Sequence, residues 1–119
     1  GVYKINGKIE VLPITEIISE NDFFDYKAKY EGESDEITPA KLPIDLEIKV
    51  KKDALNLYTK LNLKGITRTE FIFEKNIPYF LETNTIPGMT EKSIIPQQFK
   101  AANKNLKKII LAMINEGLK

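Results

Sequence analysis

Glu82 and Asn84 lie two residues apart in an apolar run that opens at Tyr79, so on an extended strand their carboxylate and amide oxygens point to one face. Oxygen donors on a shared face suit a hard cation such as Mg²⁺. The chain then meets Pro87 and Gly88, a turn pair, and a polar run of Thr90, Glu91, Lys92 and Ser93 before Pro96. Upstream, "ITRTEFIF" alternates strictly, with Arg68, Glu70 and Ile72 on one side and Thr67, Thr69, Phe71 and Phe73 on the other. If Glu74, Lys75 and Asn76 turn the chain, Glu70 comes opposite Glu82 and Arg68 opposite Asn84. Opposed carboxylates repel unless a proton or cation lies between them, which makes the pairing a metal-site signal. Mg²⁺ held by few carboxylates usually works with phosphates, so the chemistry is that of a Mg–nucleotide site. The same residues also suit a plain strand end with an Arg68–Glu70 ion pair, and no glycine-rich phosphate loop accompanies them.

The elements that must position these groups are legible from patterning. Residues 2–5 and 8–12 are strand-like, and Asn6-Gly7 between them is a two-residue hairpin signal with positive φ. Pro13 interrupts, residues 14–18 resume as strand, and a long polar stretch carrying Phe23, Phe24, Tyr26, Lys27 and Lys29 reads as a functional loop. Residues 36–40 suit a short strand. A helix opens at Pro43 and runs to about Leu63, with a core-facing stripe of Leu46, Val50, Ala54, Leu57 and Leu61, and Gly65 ends the unit. A short helix is expected over residues 97–102, and Asn105 caps a last helix with the stripe Leu106, Ile109, Ile110, Met113 and Ile114. The expected fold is α+β, an antiparallel sheet made of the two hairpins with the helices packed on one face and the site loop over the other.

Composition removes several function classes. With 119 residues and 42% hydrophobic content the chain suits one modest core. The 18 basic and 17 acidic residues nearly cancel, which gives no field to draw in nucleic acid. Without a single Cys or His there is no disulfide, thiol nucleophile, imidazole base or zinc site of the usual type. No apolar run approaches the roughly 20 residues a membrane span needs, so a cytoplasmic protein without a membrane partner is expected. The start at Gly1, without Met and directly in a strand pattern, reads as an excised piece of a longer chain.

Three segments carry a resemblance. "FFDYKAKY" from Phe23, "GITRTEF" from Gly65 and "LETNTIPGMTEKSIIP" from Leu81 occur in the order and at about the spacing found in D-alanine–D-alanine ligases, and together they span nearly the whole chain. The Glu-x-Asn is common to many ATP-grasp enzymes, whereas the "NTxPGMTxxSxxP" continuation and the "DYxAKY" loop are much more specific. The resemblance implies the C-terminal portion of an ATP-grasp ligase domain, with the N-terminal parts of the enzyme lying elsewhere. It implies a ligase that phosphorylates one D-alanine with ATP and couples it to a second through an acyl phosphate, supplying D-alanyl-D-alanine for peptidoglycan.

By that resemblance Glu70, Glu82 and Asn84 hold two Mg²⁺ ions, for which Mn²⁺ can substitute, and Arg68 with the Gly88 N–H stabilises the tetrahedral oxyanion. Ser93 would bind the carboxylate of the second D-alanine, Lys29 the phosphate, and Phe23 and Leu81 the adenine, with Tyr30 tying a closed loop over the site. The family usually has Asp at the position of Glu70, which moves the carboxylate by about one methylene. The partners implied are D-alanine, ATP and the N-terminal remainder of a homodimeric enzyme, and these residues alone are expected to be inactive because half a cleft cannot preorganise a transition state. Two alternatives remain at this level: an ATP-grasp carboxylate–amine ligase with another acceptor, and a non-catalytic binding module on the same scaffold.

Overall fold

The structure, a computed structural model, describes residues 1–18 and 35–118. Strands β1 (Val2–Ile5) and β2 (Lys8–Val11) form the expected hairpin, turned by Asn6 and Gly7 at φ 51° and 78°. Both positive φ values match the twist of a tight hairpin. Strands β3 (Glu16–Ile18) and β4 (Asp35–Ile37) pair with each other as a separate two-stranded sheet. β4 stops before Pro39, which has no N–H to give a ladder.

Helix α1 (Ile44–Lys60) starts after Pro43 rather than on it, with Asp45 and Glu47 in the first turn, where negative charge complements the helix dipole. It ends before Gly65. Asn62 takes the left-handed conformation at φ 50°, with Leu63 N–H bonded to Tyr58 O and Asn62 N–H to Thr59 O, which satisfies the last carbonyls. The buried row is Val50, Ala54 and Tyr58; Leu61, expected in the stripe, is exposed. Tyr58 fits there because its hydroxyl donates to Gly65 O at 2.7 Å.

Strands β5 (Ile66–Glu74) and β6 (Ile77–Asn84) are joined by a two-residue turn, Lys75 and Asn76 at φ 49° and 63°. Glu74, expected in the turn, stays in the strand opposite Ile77. Helix α2 (Ile94–Ala101) begins earlier than expected, directly after Ser93, and α3 (Leu106–Gly117) is capped by the Asn105 side chain accepting from Lys108 N.

The main sheet is antiparallel, in the order β2-β1-β5-β6. The α+β class and the two-hairpin sheet agree with expectation, but the helices do not share one face. Val2 and Tyr3 are successive strand residues, hence on opposite faces. Val2 packs with Ala54 and Tyr58 of α1, joined by Ile9, Val11 and Phe71. Tyr3 packs with Ile66, Leu12 and, from α2, Ile95 and Phe99, with α3 supplying Leu106, Ile109, Ile110 and Met113. The reason is visible in β1 itself. Both of its faces begin with a large apolar side chain, and each needs its own cover. Tyr3, Ile95 and Phe99 are almost fully buried, each worth roughly 2 kcal/mol of transfer free energy.

Candidate active site

The β5–β6 ladder places Glu70 directly opposite Glu82, and Arg68 directly opposite Asn84, as the alternation predicts. By alternation all four side chains lie on the Tyr3 face, the face that α2 covers. The register slips between Glu70 and Phe71: Phe71 pairs with Phe80, so Leu81 is the extra residue of a β-bulge. The bulge offsets the alternation of β6 and brings Tyr79, rather than Phe80, to the face of Glu82. Leu81, expected at an adenine pocket, stands 54% exposed at this irregularity.

Arg68 and Glu70 form the ion pair that their two-residue spacing allows, with Nη2 donating to Oε1 at 2.8 Å. Both side chains are largely buried, which makes the pair geometrically specific. Arg68 Nε–H is buried and, among the described residues, has no hydrogen-bond partner. A buried guanidinium N–H in that state is able to donate to a further oxygen. Asn84 Oδ1 accepts from Ile86 N–H at 2.9 Å, which orients the amide oxygen and leaves its second lone pair for a further bond.

After β6 the chain turns through a buried Pro87 to Gly88. A Cβ at Gly88 would lie 2.9 Å from Ser93 Oγ, so glycine is what lets the Ser93 hydroxyl sit against the backbone. Ser93 does not cap α2 with its side chain. Its Oγ instead accepts from Thr90 N–H at 3.1 Å and shares a 2.7 Å hydrogen bond with Thr90 Oγ1. Gly88 and Ser93, five residues apart, thus form one compact unit at the head of α2.

Gly1 is equally constrained. One step along the β1–β5 ladder from Val2↔Thr67 brings Gly1 opposite Arg68. A Cβ there would come within 2.7 Å of Gln98 Oε1 and Ile95 Cδ1 and within 2.8 Å of Leu12 Cδ1.

Two side-chain networks escaped the patterning. Gln98, 3% exposed on α2, donates from Nε2 to Thr15 Oγ1 at 3.0 Å, and Thr15 shares a 2.6 Å hydrogen bond with Thr38 Oγ1. Its signal was a polar residue four beyond Ile94 and three beyond Ile95, on the apolar side of α2. Glu10 accepts from both Tyr3 Oη and Lys104 Nζ, and Lys104 also donates to Tyr3 Oη at 3.0 Å. Lys104 reaches them because Asn103, at φ 56°, ends α2 in the same left-handed way as Asn62 ends α1. Lys104, and then Tyr3, hold the Glu10 carboxyl down to about 2, while Glu10 raises Lys104 and burial raises Tyr3.

Among the described residues no group of three or more His, Cys, Asp or Glu side chains comes together to hold an ion. The donors that the ladder places side by side on one face are two carboxylates in direct opposition and one oriented amide oxygen, all hard oxygens. That set fits Mg²⁺, which takes one or two carboxylates and completes its shell with water and phosphate. Phe23, Lys29 and Tyr30 lie outside the described residues.

Residues 1–115 match the family described as D-ala D-ala ligase C-terminus. The D-alanine–D-alanine ligase of Flavobacterium johnsoniae is 53% identical over 118 residues, covering 99% of this chain and 36% of that relative. That of Christiangramia forsetii is 46% identical with the same coverage. The chain therefore spans about a third of the length of the curated relatives it matches. A crystal structure of the Bacillus anthracis D-alanine–D-alanine ligase superposes with a TM-score of 0.73 at 34% identity, over 98% of this chain and 38% of that one. The same enzyme complexed with ATP gives 0.72 at 30% identity, over 96% and 37%. The match over residues 1–115, with the Arg68, Glu70, Glu82 and Asn84 face and the Gly88–Ser93 turn inside it, establishes that the chain belongs to the D-ala D-ala ligase C-terminus family.

Proposed function

We propose that the chain is the C-terminal third of an ATP-dependent ligase that joins two D-alanines for peptidoglycan synthesis, working as a cytoplasmic homodimer. The observation that supports the reading is the buried Arg68 Nε–H, without a partner among the described residues, on the face where Glu70 and Glu82 oppose each other. A guanidinium so placed is suited to an oxygen that becomes more negative during reaction.

In this reading ATP transfers its γ-phosphoryl group to the carboxylate of the first D-alanine, giving an acyl phosphate and ADP. The amine of the second D-alanine attacks the acyl carbon, and the tetrahedral intermediate expels phosphate. Glu70, Glu82 and the Asn84 oxygen would hold Mg²⁺, which, when bound, would neutralise charge on the phosphoryl oxygens. Arg68, steadied by Glu70, draws the reacting carboxylate into place and, with the Gly88 N–H, donates to the oxyanion. Ser93, held by Thr90 against Gly88, receives the carboxylate of the second D-alanine. The roles of Lys29 at phosphate, Phe23 and Leu81 at adenine, and Tyr30 in excluding water rest on the family resemblance.

The test is a coupled assay of ADP release by the complete reading frame that contains these residues. D-alanine-dependent turnover that also needs Mg²⁺ is expected, with none from residues 1–119 alone. ADP release that ignores D-alanine would refute the reading.

A further inference from the structure

Gln98 is out of place by the rules of core packing. It sits on α2 between Ile95 and Phe99, both almost fully buried, and is itself 3% exposed. Among the described residues its buried Oε1 has no hydrogen-bond partner, so within them the amide carries a desolvation cost that a leucine would avoid. Room for it is kept by Gly1, where any Cβ would strike the Gln98 oxygen. What the amide does make is a directional link. Nε2 donates to Thr15 Oγ1, Thr15 bonds Thr38 Oγ1, and Ala40 N–H bonds Ile14 O at 2.8 Å beside them. Thr15 precedes β3 and Thr38 follows β4, so the link joins α2 to the base of the β3–β4 pair.

We propose that Gln98 is a positioning residue for the second amino-acid site: its bond to Thr15 fixes the seat of α2, and with it the Gly88–Ser93 turn at the head of that helix. The apolar contacts of Ile95 and Phe99 hold α2 against the sheet, but such contacts are non-directional and leave its slide and rotation weakly defined. A hydrogen bond defines both, because it weakens steeply when bent or stretched. Ser93 starts the helix that Gln98 anchors, so a small shift of α2 moves the Ser93 hydroxyl away from the carboxylate it serves. The inference rests on the ligase reading, in which Ser93 receives the second D-alanine.

The test uses the complete enzyme with Gln98→Leu, Thr15→Val and, as rescue, Thr15→Ser. For Gln98→Leu and Thr15→Val, KM for the second D-alanine should rise roughly two- to tenfold, the range expected for one neutral hydrogen bond. kcat and KM for ATP should hold within about twofold, because only ground-state positioning at one site is lost. Thr15→Ser should restore the original KM, and the Gln98→Leu thermal midpoint should not fall. Unchanged KM in both variants overturns the proposal, and so does a joint loss of kcat, ATP affinity and thermal midpoint, which marks a merely structural role. A wild-type enzyme with no D-alanine-dependent turnover overturns the ligase reading instead. Hydrogen exchange then still decides the tether: faster exchange at the Gln97 and Phe99 to Ala102 amides, which are bonded within α2, in Gln98→Leu supports it, and unchanged exchange there overturns it.

Discussion

Glu70 and Glu82 stand directly opposite each other in the β5–β6 ladder, at the step where the Leu81 bulge begins. Like charges in that relation are destabilising by themselves and become an asset when a cation lies between them. Glu82→Gln should therefore leave the fold intact, change stability by less than about 1 kcal/mol without metal, and lower Mg–ATP turnover at least about 100-fold. ADP release and thermal melting with and without Mg²⁺ check this. Added Mg²⁺ and nucleotide should raise the midpoint of the wild-type enzyme but not of the variant, and retained activity would remove Glu82 from the site.

Arg68 differs from a simple cation because one N–H bonds Glu70 and another, at Nε, is buried with no partner among the described residues. A lysine keeps the charge and loses the fork. Arg68→Lys should lower kcat by about 100- to 1000-fold, the size seen when one oxyanion donor is removed, with a smaller change in KM for ATP. Single-turnover kinetics in the complete enzyme would show it. A kcat within tenfold of wild type, that is about 1.4 kcal/mol, would place the transition-state charge elsewhere.

Gly88→Ala introduces a methyl group 2.9 Å from Ser93 Oγ, closer than side chains tolerate. Ser93 cannot simply swing aside, because Thr90 holds its hydroxyl through both N–H and Oγ1. The variant should raise KM for the second D-alanine by about tenfold or more, the cost of moving one positioned group. Gly88→Ala combined with Ser93→Ala should be no worse in KM than Ser93→Ala alone, since two changes acting on one contact do not add.

Glu10 links β2 to Lys104, past the end of α2, and its carboxyl is held near 2, below its ordinary 4.5. Between those values the folded chain binds fewer protons than the unfolded one. The stabilisation is therefore complete above about pH 4.5 and is lost as pH falls toward 2. Lys104, raised from 10.5, gives its share below that value and loses it as pH climbs past it. Glu10→Gln should cost about 1 kcal/mol at neutral pH, since the network is partly solvated. Thermal melts of both proteins should converge as the pH is lowered toward 2 and stay apart from about pH 5 to 8.

Where periodicity and turn chemistry act over a few residues, the chain was readable. Asn6-Gly7, the alternation of β5 and Asn105 before α3 each announced the local structure that formed, and the Glu70–Glu82 register followed from them. The Leu81 bulge was not announced, because nothing in "YFLETN" distinguishes a bulged from a regular strand. The two-sided sheet had a trace in the adjacent Val2 and Tyr3, but a four-residue strand gives too short a period to show which helix covers which face. The early start of α2 was hidden by Pro96, which sits comfortably in a first helical turn where no N–H is needed.

By itself the sequence determined the kinds of groups available and their local order: oxygen donors on one strand face, an arginine beside them, a glycine turn leading to a serine, and no imidazole or thiol. Only the tertiary structure decided which of these meet. The Gln98–Thr15 bond spans 83 positions and Lys104–Glu10 spans 94, and neither leaves a local pattern. Their formation depends on how α2 settles against both the sheet and the β3–β4 pair, and on the space that Gly1 leaves by having no side chain. Local rules read dihedral preference and period along the chain, whereas contacts at such separation are selected by close packing of whole elements.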